Sequence, residues 1–379
     1  MKAVTFQSAM NMQVKEVPDP AIEKNDDIIV RITSTAICGS DLHIYQGAIK
    51  AEKDYVVGHE PMGIVEEVGS EVTKVKKGDR VVLPFNIACG YCFYCENEME
   101  SQCDSSNRNP HVDTGGYFGF TERYGNYLGG QAELLRVPYA NFIPFVVPES
   151  CELEDEALLF MSDVLPTAYW SVDNSGVKNG DTVVVLGCGP VGLMAQKFAW
   201  MKGAKRVIAI DQLPYRLNHA KKMNNVEIFD LTKQKDIGLY IKEITQGGAD
   251  VIIDAVGMDG KKTPIEAIEQ KMKLIGGTIS PIKIGMDAVR KFGTMQLTGV
   301  YGSKYNQFPL GDIWERNVTI KMGQAPVIHF MPMLFEKITK GEFDPTEIIT
   351  HKVPLDQASE AYNKFYNHED ECIKFILKP

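Results

Sequence analysis

The sequence predicts an α/β protein in two parts: a β-rich first half, then a doubly wound parallel sheet. Two observations predict this. Between Ile28 and Thr35, and again from Gly63 to Val82, short apolar runs are broken every few residues by Gly, Asp and Lys, the texture of irregular β structure. Further on, Val183–Leu186, Val207–Ile210 and Val251–Asp254 are near-continuous apolar segments separated by glycine turns and helical patterns, as strands buried on both faces require. At 379 residues the chain exceeds what a single hydrophobic core serves, which also points to two domains.

Met1-Lys2-Ala3-Val4-Thr5-Phe6 alternates like a strand and lacks the apolar run of a secretory signal, so a cytoplasmic location is expected. Lys76-Lys77-Gly78-Asp79 reads as a turn feeding a strand at Arg80–Leu83. The longest uncharged stretch, Thr182 to Gln196, is interrupted by glycines and a proline and is too short to span a bilayer. It reads instead as a strand, a turn and a helix whose inner face is Val191, Met194, Ala195 and Phe198, with Gly203 placed to end it. Near the C-terminus, Asp356 is positioned to cap a helix carrying Ala358, Ala361, Tyr362 and Phe365.

Charge narrows the partners. A formal net charge of -10 argues against nucleic acid and anionic membrane, both of which reward clustered Lys and Arg. A small neutral or polar substrate suits this balance.

Gly187-Cys188-Gly189-Pro190-Val191-Gly192 places Gly-x-Gly-x-x-Gly directly after an apolar strand and ahead of a helix. Glycines there allow a tight turn and let the backbone approach a pyrophosphate, whose charge meets the free N–H groups of the helix start. Asp211 ends the next apolar strand, where a carboxylate accepts bonds from the adenosine ribose and repels a 2′-phosphate. NAD is therefore expected over NADP. Arg216 is either a ribose contact or a solvated helix charge.

Four of the eight cysteines fall between Cys89 and Cys103. Cys89-x-x-Cys92-x-x-Cys95 and then Cys103 supply four thiolates on one loop, the ligand set of a closed structural zinc site, with an iron–sulfur cluster as the chemical alternative. A second constellation is dispersed: Cys38-Gly39-Ser40-Asp41-Leu42-His43, then Gly58-His59-Glu60, then Asp163 in Ser162-Asp163-Val164-Leu165-Pro166-Thr167. A thiolate, an imidazole and a carboxylate would leave a zinc one open position, as catalytic sites do, although residue types alone do not select these three.

These motifs, in this order, resemble the zinc-containing medium-chain alcohol dehydrogenases over essentially the whole chain. Val82–Gly90, Gly129-Gly130-Gln131-Ala132-Glu133 and Ser162–Thr167 are similar to the glutathione-independent formaldehyde dehydrogenase branch, in which Asp replaces Cys as third zinc ligand. The resemblance implies two Zn2+ per chain. Cys38, His59 and Asp163 would hold the catalytic ion, with Glu60 beside it as a transient ligand or a hydrogen-bonding neighbour. Ser40 would pass the substrate proton through the nicotinamide ribose to His43 near the surface, or to water, and Thr167 would flank the nicotinamide. The fold implied is a GroES-like catalytic domain over residues 1–162, a Rossmann NAD-binding domain over 163–323 and a return to the first domain over 324–379, with the active site between domains. A homo-oligomer, tetramer or dimer, is implied as well.

The activity this implies is hydride transfer between an alcohol or hydrated aldehyde and NAD. One departure bears on the substrate: the formaldehyde branch carries a long coenzyme-domain insertion that retains NAD, whereas here Asp254 leads to Gly299 without it. A broader alcohol/aldehyde dehydrogenase with exchanging NAD is expected. The rivals are a formaldehyde dehydrogenase or dismutase, a polyol or threonine-type amino-acid zinc dehydrogenase, a zinc-free NADPH-dependent quinone or enoyl reductase, and a catalytically silent NAD- or zinc-binding regulatory protein. The aromatic loop over residues 115–127 shapes the substrate space, makes a subunit contact or is purely structural.

Overall fold

A computed structural model describes residues 1–109, 111–260, 277–302, 305 and 307–379. The chain forms two compact units, Met1–Pro166 with Ala325–Pro379, and Thr167–Gln324. Asp163 thus falls in the same unit as Cys38 and His59. The stretch from Asp254 to Gly299 includes residues 261–276, which lie outside those described.

The first unit is β-rich. Its organising strand, Ile28–Ile37, is ten residues of mostly β-branched and apolar side chains, buried along nearly its whole length. It pairs antiparallel with Pro61–Val68, Leu134–Val137 and Phe375–Lys378. The register decides what meets at its end. Ile37 lies opposite Phe375 and Thr35 opposite Pro61, so Cys38, Lys374 and Glu60, each one residue beyond a paired position, converge at one end of the sheet. Ser162, next to Asp163, is tied there by Phe85, whose N–H donates to its carbonyl at 3.0 Å. Two apolar clusters support this frame, one around Val30, Val65, Val81 and Phe118, the other around Tyr45, Tyr362, Phe365 and Phe375.

Lys2–Ser8 is a strand, but Ala3 to Phe6 are all buried rather than alternating, because partners pack on both faces. The helix near the C-terminus, Ala358–Asn367, starts without a side-chain cap. Asp356 lies instead in a short 3-10 turn, and its carboxylate takes the Lys2 ammonium at 2.9 Å, so the capping role expected of it is not found.

The second unit carries six parallel strands in the spatial order Glu227–Asp230, Arg206–Asp211, Thr182–Leu186, Ala249–Asp254, Val289–Leu297 and Thr319–Met322. Val183, Val184 and Val185 are completely buried, as a strand covered on both faces demands. The following helix, Pro190–Met201, starts on an extended Gly189 with Pro190 in its first turn and is followed by Gly203 at φ 89°. Met194, Ala195 and Phe198 form its inner face as expected, together with Leu193 and Ala199, while Val191, in the first turn, is only half-buried. No described helix is long and apolar enough to cross a membrane.

Candidate metal centre and dinucleotide turn

Cys38 directly follows the central strand and His59 follows Gly58, whose φ of 103° belongs to the left-handed region. A Cβ at Gly58 would stand 2.3 Å from Gln131 Cγ and 2.7 Å from its backbone nitrogen, so only glycine lets these two segments close on each other. Asp163 sits in the turn before the helix Val164–Ser175. One donor atom from each of Cys38, His59, Glu60 and Asp163 lies within 4.8 Å of the others, and all four residues are buried.

Inside this cluster Asp163 Oδ2 is 3.4 Å from Cys38 Sγ and 3.4 Å from His59 Nε2. Tetrahedral zinc with ordinary Zn–S, Zn–N and Zn–O lengths spaces such pairs by about 3.4–3.6 Å, so the donor set fits one ion. Glu60 Oε1 accepts from Lys374, and Oε2 is buried beside the other donors with no hydrogen-bond partner among the described residues, which suits a carboxylate next to a cation. Burial, helped by the Asp163 and Glu60 carboxylates, pushes the Cys38 thiol up. A bound cation would reverse that and hold the thiolate. For His59, burial opposes protonation, but Asp41 and Asp163 outweigh it and hold the imidazole well above its usual range.

The layer behind the donors is ordered. Asp41 Oδ1 is 2.9 Å from His59 Nδ1, an ion-pair distance without good hydrogen-bond alignment, and this fixes Nε2 as the nitrogen facing the other donors. Its other oxygen accepts from the Cys38 N–H at 2.9 Å and from Gln131 Nε2 at 3.1 Å. Gln131 Oε1 in turn accepts from the Tyr362 hydroxyl at 2.9 Å. Ser40 Oγ lies 3.2 Å from His59 Nε2, on the donor side. Phe120 and Phe85 stand edge-on to the His59 ring, at 5.1 and 6.3 Å between centroids, and Tyr124 packs on Phe120. The aromatic loop therefore walls the donor cluster.

His43 departs from expectation. It is buried, not near the surface, on the short helix Asp41–Tyr45, with Nδ1 3.3 Å from Gln46 Nε2. Thr167 is half-buried in the first turn of the helix after Asp163. Asp41, Gln131 and Lys374 have no role assigned by the sequence, whereas Phe120 lies in the aromatic loop the sequence singled out. The first two lie inside the quoted motifs, three residues after Cys38 and one after Gly130, so their position was a usable signal; Lys374 offered none.

Cys89, Cys92, Cys95 and Cys103 also converge, with Sγ–Sγ distances of 3.5 Å for Cys92–Cys95, 3.9 Å for Cys89–Cys95 and 3.9 Å for Cys92–Cys103. The edge of a zinc–thiolate tetrahedron is about 3.8 Å. All four thiols are free. A hydrogen bond from Cys95 draws Cys103 down to about 4 while Cys95 is driven up, because neighbouring thiolates cannot all ionise without a cation between them.

In the second unit, a Cβ at Gly192 would lie 2.0 Å from the Gly187 carbonyl oxygen, so the turn closes only around glycine. At Gly189 a Cβ would meet only Arg216 Nη1, at 3.8 Å, leaving that face open beside a guanidinium. Arg216 Nε is buried without a hydrogen-bond partner among the described residues, which suits an anion. Pro190 and Val191 line the same helix start. Asp211 Oδ2 accepts from the Cys188 N–H at 2.7 Å, and Oδ1 accepts from Gln212 and Leu213, so the carboxylate is rigidly held at the strand end.

Residues 24–149 match the alcohol dehydrogenase GroES-like domain and residues 190–271 the zinc-binding dehydrogenase domain. A zinc-type alcohol dehydrogenase-like protein of Bacillus subtilis is 60% identical over 380 residues, covering all of both chains. The chain belongs to the zinc-containing medium-chain alcohol dehydrogenase family. This dehydrogenase also aligns with a glutathione-independent formaldehyde dehydrogenase of Pseudomonas aeruginosa at 32% identity, over 100% of this chain and 97% of the relative. Among solved structures, the alcohol dehydrogenase of Thermus sp. ATN1 superposes with a TM-score of 0.85 at 32% identity, over 100% of this chain and 99% of that one. The protein is accordingly a zinc-type oxidoreductase of the alcohol/aldehyde dehydrogenase class that acts on a small molecule, with a GroES-like unit and a Rossmann-like unit.

Proposed function

We propose that this dehydrogenase binds two zinc ions per chain and transfers a hydride between a small alcohol or hydrated aldehyde and NAD. The observation that carries the reading is the buried donor cluster of Cys38, His59 and Asp163, with the Ser40 hydroxyl on its donor side and aromatic walls from Phe85 and Phe120. When bound there, zinc supplies a Lewis acid that makes an alcohol acidic near neutral pH. Asp41 orients His59, Ser40 accepts and passes on the substrate's proton, and the aromatic walls exclude water and restrict substrate size. His43 receives that proton by way of the nicotinamide ribose and releases it to water. Cys89, Cys92, Cys95 and Cys103 hold the second, structural zinc.

The glycine turn receives the pyrophosphate, with Arg216 beside it and Thr167 at the nicotinamide. Asp211 favours NAD, since a carboxylate held at the strand end by three backbone N–H groups is placed to accept from ribose hydroxyls and repels a 2′-phosphate. The alignment with the formaldehyde dehydrogenase runs over 397 positions, more than the 379 residues here, so that relative carries residues this chain lacks. This supports freely exchanging NAD and a broader alcohol/aldehyde range. Free cysteines throughout the described residues suit a reducing, cytoplasmic setting. Leu310 and Trp314, exposed on the helix Leu310–Glu315, and Met322, exposed on the outermost parallel strand, support a homo-oligomer.

The deciding experiment is a panel of alcohols and aldehydes with NAD and NADP on protein of measured metal content. The expected result is two zinc per chain, NADH formed from primary alcohols, and at least about 100-fold preference for NAD in kcat/KM. No reduction of NAD by any alcohol would overturn the proposal.

A further inference from the structure

The most deeply buried cation of the first unit stands at the metal cluster. Lys374 is fully buried, and its Nζ donates to Glu60 Oε1 at 2.6 Å, Glu60 being fully buried too. The ammonium also lies 5.7 Å from the Phe160 ring centroid. Its backbone is clamped: the Lys374 N–H donates to Thr350 Oγ1, and its carbonyl accepts from the N–H groups of Thr350 and His351. Strand register brings it opposite the Cys38 end of the central strand. A lysine delivered this firmly into an apolar interior has a charge to meet.

That charge exceeds what one divalent ion needs. Thiolate Cys38 and carboxylate Asp163 neutralise a zinc ion, and Glu60 adds a third negative charge to the same cluster. Lys374 balances it. Glu60 Oε2 has no partner among the described residues, so among them Lys374 is the one hydrogen-bond donor to this carboxylate. Without it, both oxygens would be buried, anionic and unsatisfied within reach of the metal.

We infer that Lys374 is a positioning residue that holds Glu60 off the metal and so keeps the fourth coordination position open for substrate. The inference rests on the proposal that Cys38, His59 and Asp163 bind a metal, and it deepens that reading. It predicts that loss of the ammonium turns Glu60 into a permanent fourth ligand, giving a closed site of the structural kind.

The test uses the full chain reconstituted with cobalt(II), whose visible spectrum reports coordination, titrated with imidazole as a monodentate occupant of the open position. In the wild type, imidazole shifts the spectrum. In Lys374→Met the shift should need at least about tenfold more imidazole, and cobalt should leave to a chelator at least about tenfold more slowly. Lys374→Arg should behave as the wild type, and Lys374→Met combined with Glu60→Gln should regain the response. A Lys374→Met titration that superposes on the wild type overturns the inference. Should Lys374→Met fail to fold, Glu60→Gln alone decides: an unchanged cobalt spectrum supports Glu60 being held off the metal, and a spectrum showing a lost ligand overturns it. Uptake of a single cobalt, in the four-cysteine loop, would overturn the underlying metal reading instead, and the two failures are distinguished by the wild-type metal count.

Discussion

Asp163 and Asp41 do different work on the same imidazole. Asp163 Oδ2 shares the donor face with Cys38 Sγ and His59 Nε2, so Asp163→Ala deletes a donor. Metal analysis of that variant should show one zinc fewer per chain, with activity down by at least about 10³-fold and NAD affinity nearly unchanged. Full activity with full zinc would remove Asp163 from the ligand set. Asp41 touches only the far side of the ring, at 2.9 Å from Nδ1. Asp41→Asn keeps the shape and loses the charge, and should weaken metal binding or activity by about 10–100-fold, the usual range for a residue behind a metal-bound histidine. Competition with a zinc chelator measures it.

At the scale of elements, the C-terminal strands are tied to the short helix Asp155–Leu158. Glu156, on that helix, accepts from Lys352 at 3.2 Å and Lys378 at 3.0 Å, one from each of the paired strands His351–Pro354 and Phe375–Lys378. Burial alone would raise its pKa, but hydrogen bonds from Lys378, its own backbone and Lys352 bring it down to about 2. A carboxylate whose folded pKa is depressed stabilises the fold fully above its unfolded pKa, near 4.5, and loses that contribution as pH falls toward 2. The amount is on the order of 1–3 kcal/mol, reduced by partial exposure. Thermal melts across that range should therefore fall less steeply for Glu156→Gln than for the wild type. Parallel curves would show that the clamp contributes nothing. These same strands set the register that brings Lys374 to the metal cluster, so the clamp and the site share one scaffold.

For the whole molecule, stability and assembly depend on groups outside any single core. Four thiols meet in the loop from Cys89 to Cys103, where repulsion between thiolates is relieved only by a cation. Stripping metal with a strong chelator should lower Tm by at least about 5 °C, with the loss reversed by zinc. An unchanged melt would mean the loop holds its shape without metal. Trp314 is 80% exposed beside Leu310, and Met322 lies on the outermost strand of the parallel sheet. Trp314→Glu should lower the mass measured by light scattering toward that of one chain, while a wild-type mass already equal to one chain would end the oligomer proposal.

What the sequence by itself determined is what depends on neighbours along the chain. The valine-rich run before Gly187, the spacing of Gly187, Gly189 and Gly192, Asp211 at the end of the next strand, and four cysteines on one loop are local patterns with local physical causes, and they announced the parallel sheet, the tight glycine turn and the convergence of four thiols. Helix entry was less legible: Asp356 has the chemistry of a cap, yet a longer-range partner, Lys2, takes its carboxylate. Only the tertiary structure decided what stands around the Cys38 cluster. Asp163 is 125 residues from Cys38, and Lys374 is 314 residues from Glu60. Strand register brings such groups together, and register is set by the packing of whole faces rather than by any short motif. For the same reason His43, adjacent to the motif in sequence, lies buried beside Gln46 rather than at the surface: the short helix that carries it packs against the core formed by Tyr45, Tyr362 and Phe365.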